Sequence, residues 1–259
     1  MSDGSDDRHD RFAEMHRSGT FVLVNAAHVG EALAAERGGA QAIGTTSSGH
    51  ASTLGRRDAI GALTRDESVE RAAQICAAVD VPVSVDGENL WASTPDQVGV
   101  TIRMLADAGV SGASIEDWSG DPTIGFYETG EAIERVTAAV EAAAAVGRPF
   151  VVCARTETFL HPDRAEPGDL FDTAVRRLAA FANAGADCVY APSVPVDLDQ
   201  VRRLHDAVDA PHNILLPVGS SVGVAELTAL GVRRISLGGS LHFAAMRFIE
   251  STVRDVLAG

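Results

Sequence analysis

The sequence predicts a (β/α)8 barrel. Three observations lead there: eight short apolar runs alternate with helical segments, the runs are continuously apolar as strands covered on both faces must be, and 259 residues suit eight βα units. The chain opens with MSDGSDDRHD, polar and acidic, so residues 1–10 read as a disordered tail and 11–259 as one barrel domain. Strands follow at 21–26 (FVLVNA), 41–47 (QAIGTTS), 81–86 (VPVSVD), 112–117 (GASIED), 150–156 (FVVCART), 187–192 (DCVYAP), 212–217 (HNILLP) and 233–238 (RRISLG). Between them, segments such as DESVERAAQICAAV, DQVGVTIRMLADAG, EAIERVTAAVEAAAAVG and LFDTAVRRLAAFANAG carry apolar residues at helical spacing. Gly109, Gly147 and Gly185 stand where three of these helices should stop. A doubly wound sheet is the competing architecture, but the first βα turn, VNAAHVGEA, has no GxGxxG.

Composition narrows the function. A net charge of −15 argues against nucleic acid or an anionic membrane as partner, because both need clustered positive charge. No apolar stretch is long enough to span a bilayer, and the acidic start is unlike a secretory or mitochondrial leader, so a cytosolic protein is expected. Cys76, Cys153 and Cys188 lack metal or disulfide spacing and read as buried small residues. The chain has no lysine at all, its 21 basic residues being arginines. Schiff-base aldolase chemistry, pyridoxal phosphate and a Walker A loop all need that amine, so all three are excluded.

Charged residues close the strand runs, where a barrel places its active site. Asp86 and Glu88 follow the third strand and Glu116 ends the fourth; these hard oxygen donors suit Mg2+ or Mn2+. As an alternative, the acids cap the helices that follow. Asp58, on the long second βα loop, is either a further acid of the metal's outer shell or a turn residue paired with Arg56 or Arg57. Arg155 emerges from a buried run and needs an anionic partner: a substrate carboxylate or phosphonate, or a structural pair with Glu116 or Glu157. Ser47, Ser48 and Gly49 offer backbone N–H groups to an anion, unless TTSSGH is a plain polar loop.

In order, VLVNAAHVGEA, AIGTTSSGHASTLGRRDA, VPVSVDGEN, AGVSGASIED, PFVVCARTE, NAGADCVYAP and LGVRRISLG resemble the isocitrate lyase / phosphoenolpyruvate mutase superfamily, its short bacterial members above all. The resemblance runs from about Phe12 to the last helix. It implies a (β/α)8 barrel with the last helix exchanged between subunits, a homotetramer, bound Mg2+ and a small 2-oxo or 2-hydroxy carboxylate substrate. It places Asp86, Glu88, Glu116 and Asp58 at the metal, Ser47, Ser48 and Gly49 around the substrate carboxylate, and Arg155 on the substrate's anionic group.

The departures bear on the reaction. Where relatives carry Lys-Cys-Gly or Lys-Gly-Asn-Ser after the fourth strand, this chain has WSGDPTIGFYETG, without lysine or cysteine. His28 stands where an aspartate is common, and Leu90, Trp91 and Ala92 replace Gly-Tyr-Gly. Arg155, Ser47 and His28 are the catalytic candidates, and with no loop acid His28, His50 and Tyr127 are the groups left to act as acid or base. The expected activity is metal-assisted C–C cleavage through an enolate, either decarboxylation of an oxaloacetate-like acid or an aldol or Claisen cleavage. Phosphonate P–C chemistry and a non-catalytic ligand-binding barrel are the alternatives.

Overall fold

All eight expected strands form, and they close into one barrel. A computed structural model describes residues 4–58, 61–166, 168–194 and 197–259. The strands are β1 (Phe21–Ala26), β2 (Ala42–Thr45), β3 (Val83–Val85), β4 (Gly112–Glu116), β5 (Val151–Arg155), β6 (Cys188–Tyr190), β7 (His212–Leu215) and β8 (Arg234–Ser236). Each is parallel to its neighbour in sequence order, and β8 returns to β1 with Phe21 opposite Arg234 and Leu23 opposite Ser236. Asn25 secures that seam. Its amide donates to the Thr45 carbonyl at 2.7 Å, while its side-chain oxygen accepts from the backbone N–H of Leu237 and Gly238.

Among the described residues ten α-helices surround or cap the strands: α1 (Gly4–Arg17), α2 (Val29–Arg37), α3 (Ser47–Thr53), α4 (Arg65–Ala78), α5 (Pro95–Asp107), α6 (Thr129–Ala144), α7 (Leu170–Asn183), α8 (Leu198–Ala207), α9 (Val224–Ala229) and α10 (Ser240–Ala258). Side-chain caps fix several starts. Thr64 and Glu67 form a reciprocal capping box at α4, and Asp169 accepts from Phe171 and Asp172 at α7. Gly109, Gly147 and Gly185 follow α5, α6 and α7 with φ of 85°, 81° and 97°, the left-handed stop that a Cβ would strain.

The N-terminus corrects the sequence reading. From Gly4 onward the expected tail is the first part of α1; residues 1–3 lie outside the described residues. A polar sequence forms a helix here because the barrel gives it partners. Arg8 donates to the carbonyls of Cys76 and Val79, and buried His9 hydrogen-bonds Ser111 at 2.8 Å. Phe12 then packs with Phe21, Leu23, Ala42 and Val151, which closes the end of the barrel opposite the site.

At the far end of the chain, α10 leaves an apolar stripe uncovered. Phe248, Ile249, Val253, Val256 and Leu257 are all more than half exposed. No helix among the described residues is long and apolar enough to cross a membrane.

Candidate active site

The site is built on the turn after β3. Asp86, Gly87 and Glu88 pass so close to β4 that a Cβ on Gly87 would collide with the Ser114 carbonyl, and only glycine fits between the two acids. The chain then bends through three left-handed residues, Glu88, Leu90 and Trp91, with φ of 47°, 59° and 49°. Such positions cost about 1–2 kcal/mol each and persist only where the surroundings impose them. Here Glu116 N–H donates to the Glu88 carbonyl, Thr101 to that of Leu90, and buried Arg135 to those of Asn89 and Ala92.

Arg155, the last residue of β5, stands at the centre of a carboxylate ring. Its Nη1 lies 2.7 Å from Asp86, its Nη2 3.1 Å from Glu116 and its Nε 2.6 Å from Glu157. Both partners foreseen for a structural pairing are therefore present, and Asp86 is a third. Asp86 is held on its other oxygen by Ser47, through the backbone N–H and the hydroxyl, each at 2.9 Å.

Negative charge is in surplus. Four carboxyl groups, Asp86, Glu88, Glu116 and Glu157, surround one guanidinium. Burial, then repulsion from Asp86, pushes Glu88 up to about 7, with Arg155 opposing. Glu116 is raised well above the ordinary carboxylate range by burial and then by Glu157. Asp58 is exposed as a residue, yet partial desolvation and repulsion from Asp86 still hold its carboxyl up.

Such a ring suits a divalent cation. Hard oxygens are the right donors, and the crowded carboxylates would ionise more readily around a dication. Among the described residues no three side chains converge into a ready-made cage. The fit is therefore to an ion held by one or two carboxylates with water or substrate completing its shell, the usual habit of Mg2+.

Other sequence candidates land differently. His28 is the N-cap of α2: its Nδ1 accepts from Gly30 and Glu31 N–H at 3.1 and 3.4 Å. That contact gives it a structural task, and Glu31 lies 3.5 Å from its Nε2. The Ser47–Gly49 segment opens α3, but Ser47 N–H is engaged by Asp86 and Gly49 N–H by the Thr46 hydroxyl. His50 is buried, and burial followed by the charge of Arg71 lowers it to about 4, so it is neutral near pH 7. Tyr127 is buried with Arg135 over its ring at 4.0 Å and its hydroxyl 3.4 Å from the Asn89 amide.

The loop after β4 is fastened rather than free. Trp118 bridges to Phe126 and stacks on His161 of the β5–α7 loop at 3.8 Å. Asp117 lies beneath it, 2% exposed, paired with Arg177 and accepting from Glu157 N–H. Two further wall residues complete the site, Glu157 foreseen only as a partner of Arg155 and Tyr190 absent from the sequence reading. Glu157 completes the ring around Arg155, and Tyr190 pairs in register with Arg155 across β5 and β6, its ring 5.6 Å from the guanidinium. Aligning the strand ends would have found Tyr190.

A family model, phosphoenolpyruvate phosphomutase, matches residues 12–257. The chain belongs to that family, within the phosphoenolpyruvate mutase / isocitrate lyase superfamily. It is 33% identical over 251 residues to an uncharacterised protein of Mycobacterium tuberculosis, covering 96% of this chain and 89% of that one. It is 30% identical to an oxaloacetate decarboxylase of Paraburkholderia xenovorans, over 80% of this chain and 67% of that protein. Other relatives bear the name 2-methylisocitrate lyase. A Burkholderia cenocepacia crystal structure, provisionally described as a lyase/mutase, superposes with a TM-score of 0.89 at 37% identity, covering 97% of this chain and 88% of that one. The lyases and mutases among its relatives support an enzyme.

Proposed function

We propose that this protein is a divalent-metal-dependent lyase that breaks a C–C bond next to a 2-oxo or 2-hydroxy carboxylate, with decarboxylation of an oxaloacetate-like acid as the simplest case. The observation that carries the reading is the ring of carboxylates around Arg155, which holds more negative charge than one guanidinium balances. Asp86, Glu88 and Glu116, with Asp58 further out, would hold Mg2+ or Mn2+. When bound, the ion supplies Lewis-acid stabilisation of the enolate left by cleavage.

The chain's own groups do the rest. Arg155 has five N–H donors, of which three meet Glu157, Asp86 and Glu116, leaving two for the substrate's anionic group. The same carboxylates fix the plane of the guanidinium before substrate arrives, which lowers the ordering cost of binding. Ser47 orients Asp86 through two hydrogen bonds, and Ser48 and Gly49 follow it in the first turn of α3. No lysine or cysteine in the fastened β4 loop can deliver a proton, which favours a reaction whose final proton comes from water.

The test is pyruvate release from a panel of 2-oxo acids and phosphonopyruvate, with and without Mg2+. Release from an oxaloacetate-like acid that disappears in Asp86→Ala supports the reading; turnover of phosphonopyruvate alone transfers it to P–C chemistry. The exposed stripe on α10 supports a homo-oligomer in which this helix is covered by another subunit, a tetramer by likeness to the family. Phe248→Glu with Val256→Glu should then lower the mass in solution, and an unchanged monomer in the parent chain would refute it.

A further inference from the structure

Beneath the Arg155 ring, the barrel interior holds reactive groups that the proposed lyase chemistry does not use. Cys153 on β5 and Cys188 on β6 are register partners on adjacent parallel strands, and both are fully buried. Neighbouring strands run about 4.8 Å apart, inside the roughly 4.4–6.8 Å between Cα atoms that a disulfide spans. Register partners on parallel strands point to the same face. Here that face is the barrel interior, because Arg155 and Tyr190, two residues further along each strand, line the interior cavity.

Arg234 reaches this pair from β8. Its Nη2 lies 2.7 Å from the Cys153 sulfur, its Nε donates to Asn213 at 2.9 Å, and its Nη1 has no partner. The residue is 3% exposed, and among the described residues no carboxylate pairs with it. A buried guanidinium without a counter-charge is prohibitive. The sulfur beside it is the group placed to supply one.

We propose that Cys153 and Cys188 are a modification site: Arg234 holds Cys153 as a thiolate, and a small hydroperoxide oxidises the two cysteines to a disulfide. The acidities agree with that division of labour. Burial raises Cys153, but the hydrogen bond from Cys188 and the charge of Arg234 outweigh it and bring the thiol to about 7. Cys188 moves well above its ordinary value and stays protonated. Cys76, on α4, is pushed up to about 12 by burial that the charges of Arg8 and Arg148 only partly offset, and serves as an internal control. A cavity of about 60 Å3 runs below Asp86 and Arg155 to Arg234 and Ser236. It brings a peroxide-sized molecule as far as the Arg234 guanidinium, whose Nη2 touches the Cys153 sulfur.

The step balances with hydrogen peroxide as oxidant. The Cys153 sulfur attacks one peroxide oxygen, the O–O bond breaks, and the departing hydroxide leaves Cys153 as a sulfenic acid. Cys188 gives its proton to that hydroxide, forming water, and its sulfur attacks Cys153. The S–O bond breaks and a second hydroxide leaves. Two electrons pass from the sulfurs to the peroxide. Arg234 loses its counter-charge in the process, so the oxidised barrel should melt at a lower temperature.

The experiment treats the full-length protein with hydrogen peroxide, then counts thiols after unfolding and measures intact mass. The expected result is one remaining thiol of three, at Cys76, with a peptide linked through Cys153 and Cys188 and the loss of two hydrogens. Cys188→Ser should instead gain one oxygen, on Cys153. Arg234→Met should slow oxidation about tenfold or more by removing the thiolate's partner, while Arg234→Lys, which keeps the charge and guards against a folding defect, should restore most of the rate. Retention of all three thiols, oxidation of Cys76 as fast as Cys153, or a link between chains would overturn the proposal. So would stabilisation of the reduced protein by chloride over gluconate at equal ionic strength that vanishes in Arg234→Lys, since a bound anion would then balance Arg234.

Discussion

Replacing Arg155 with methionine removes the one cation from the carboxylate ring while keeping most of its bulk. Asp86, Glu116 and Glu157 then share a site with no counter-charge, where all three had lain within 3.1 Å of the guanidinium. Crowded buried acids relieve repulsion only in part by taking up protons, so uncompensated charge remains. Breaking a buried ion pair in this way costs about 3–5 kcal/mol, a large part of the 5–15 kcal/mol that typically holds a domain folded. A dication should restore what the mutation removes. In the parent protein, Mg2+ at a hundred times its Kd adds about 2.7 kcal/mol; in the methionine variant at that same Mg2+ concentration the gain should be larger, because the orphaned acids bind the ion more tightly and lower its Kd. Urea titrations of both proteins, with and without Mg2+, read these quantities directly. A variant within about 1 kcal/mol of the parent, or one that Mg2+ stabilises no more than the parent, would refute the charge-balance reasoning.

Three further outcomes follow from the same geometry. Glu88 sits near 7 in the free protein, so a cation must displace its proton below that pH; Mg2+ affinity by calorimetry should fall about tenfold per pH unit there and become flatter in Glu88→Gln. Asp117 is raised from 3.8 to about 6, chiefly by burial that Arg177 only partly offsets. Its contribution therefore favours folding below the ordinary carboxylate value and is lost as pH rises through 6, a change of about 3 kcal/mol. Urea titrations from pH 4 to 7 should show that loss in the parent but not in Asp117→Asn, and matching curves would remove Asp117 as the cause. His28→Ala should cost about 1 kcal/mol of stability through the lost α2 cap, and His28→Asn should recover it with turnover like the parent; a collapse of turnover in both variants would return His28 to the chemistry.

Much of the architecture was legible because it depends on one-dimensional patterns. A strand covered on both faces has to be apolar throughout, and a charge at its end has to meet solvent or chemistry, so VPVSVDGE, GASIED and FVVCART disclosed both the barrel and the ring of acids. The N-terminal helix was illegible for the opposite reason: its polar residues find partners only after the barrel presents Ser111 and the carbonyls of Cys76 and Val79. His28 stayed ambiguous because residue type and strand-end position are shared by a catalytic base and a helix cap; its hydrogen bonds show the cap of α2. Arg155 was read correctly as needing an anion, but the number of its protein partners is a matter of side-chain reach across three strands, which spacing does not encode.

The three left-handed residues after β3 set a ceiling on how heat-resistant this enzyme can become by drift alone. Glycine at position 88 would relax the backbone there, whereas at 90 it would empty the space of a fully buried leucine, so selection for thermal survival without selection for turnover would act first on 88. The carboxylate at Glu88 would be among the early losses, and the loop would gain freedom in the unfolded chain that partly cancels the benefit. A lineage that retains Glu88, Leu90 and Trp91 together accepts a stiffer, costlier turn in exchange for an acid held at a fixed height above the barrel.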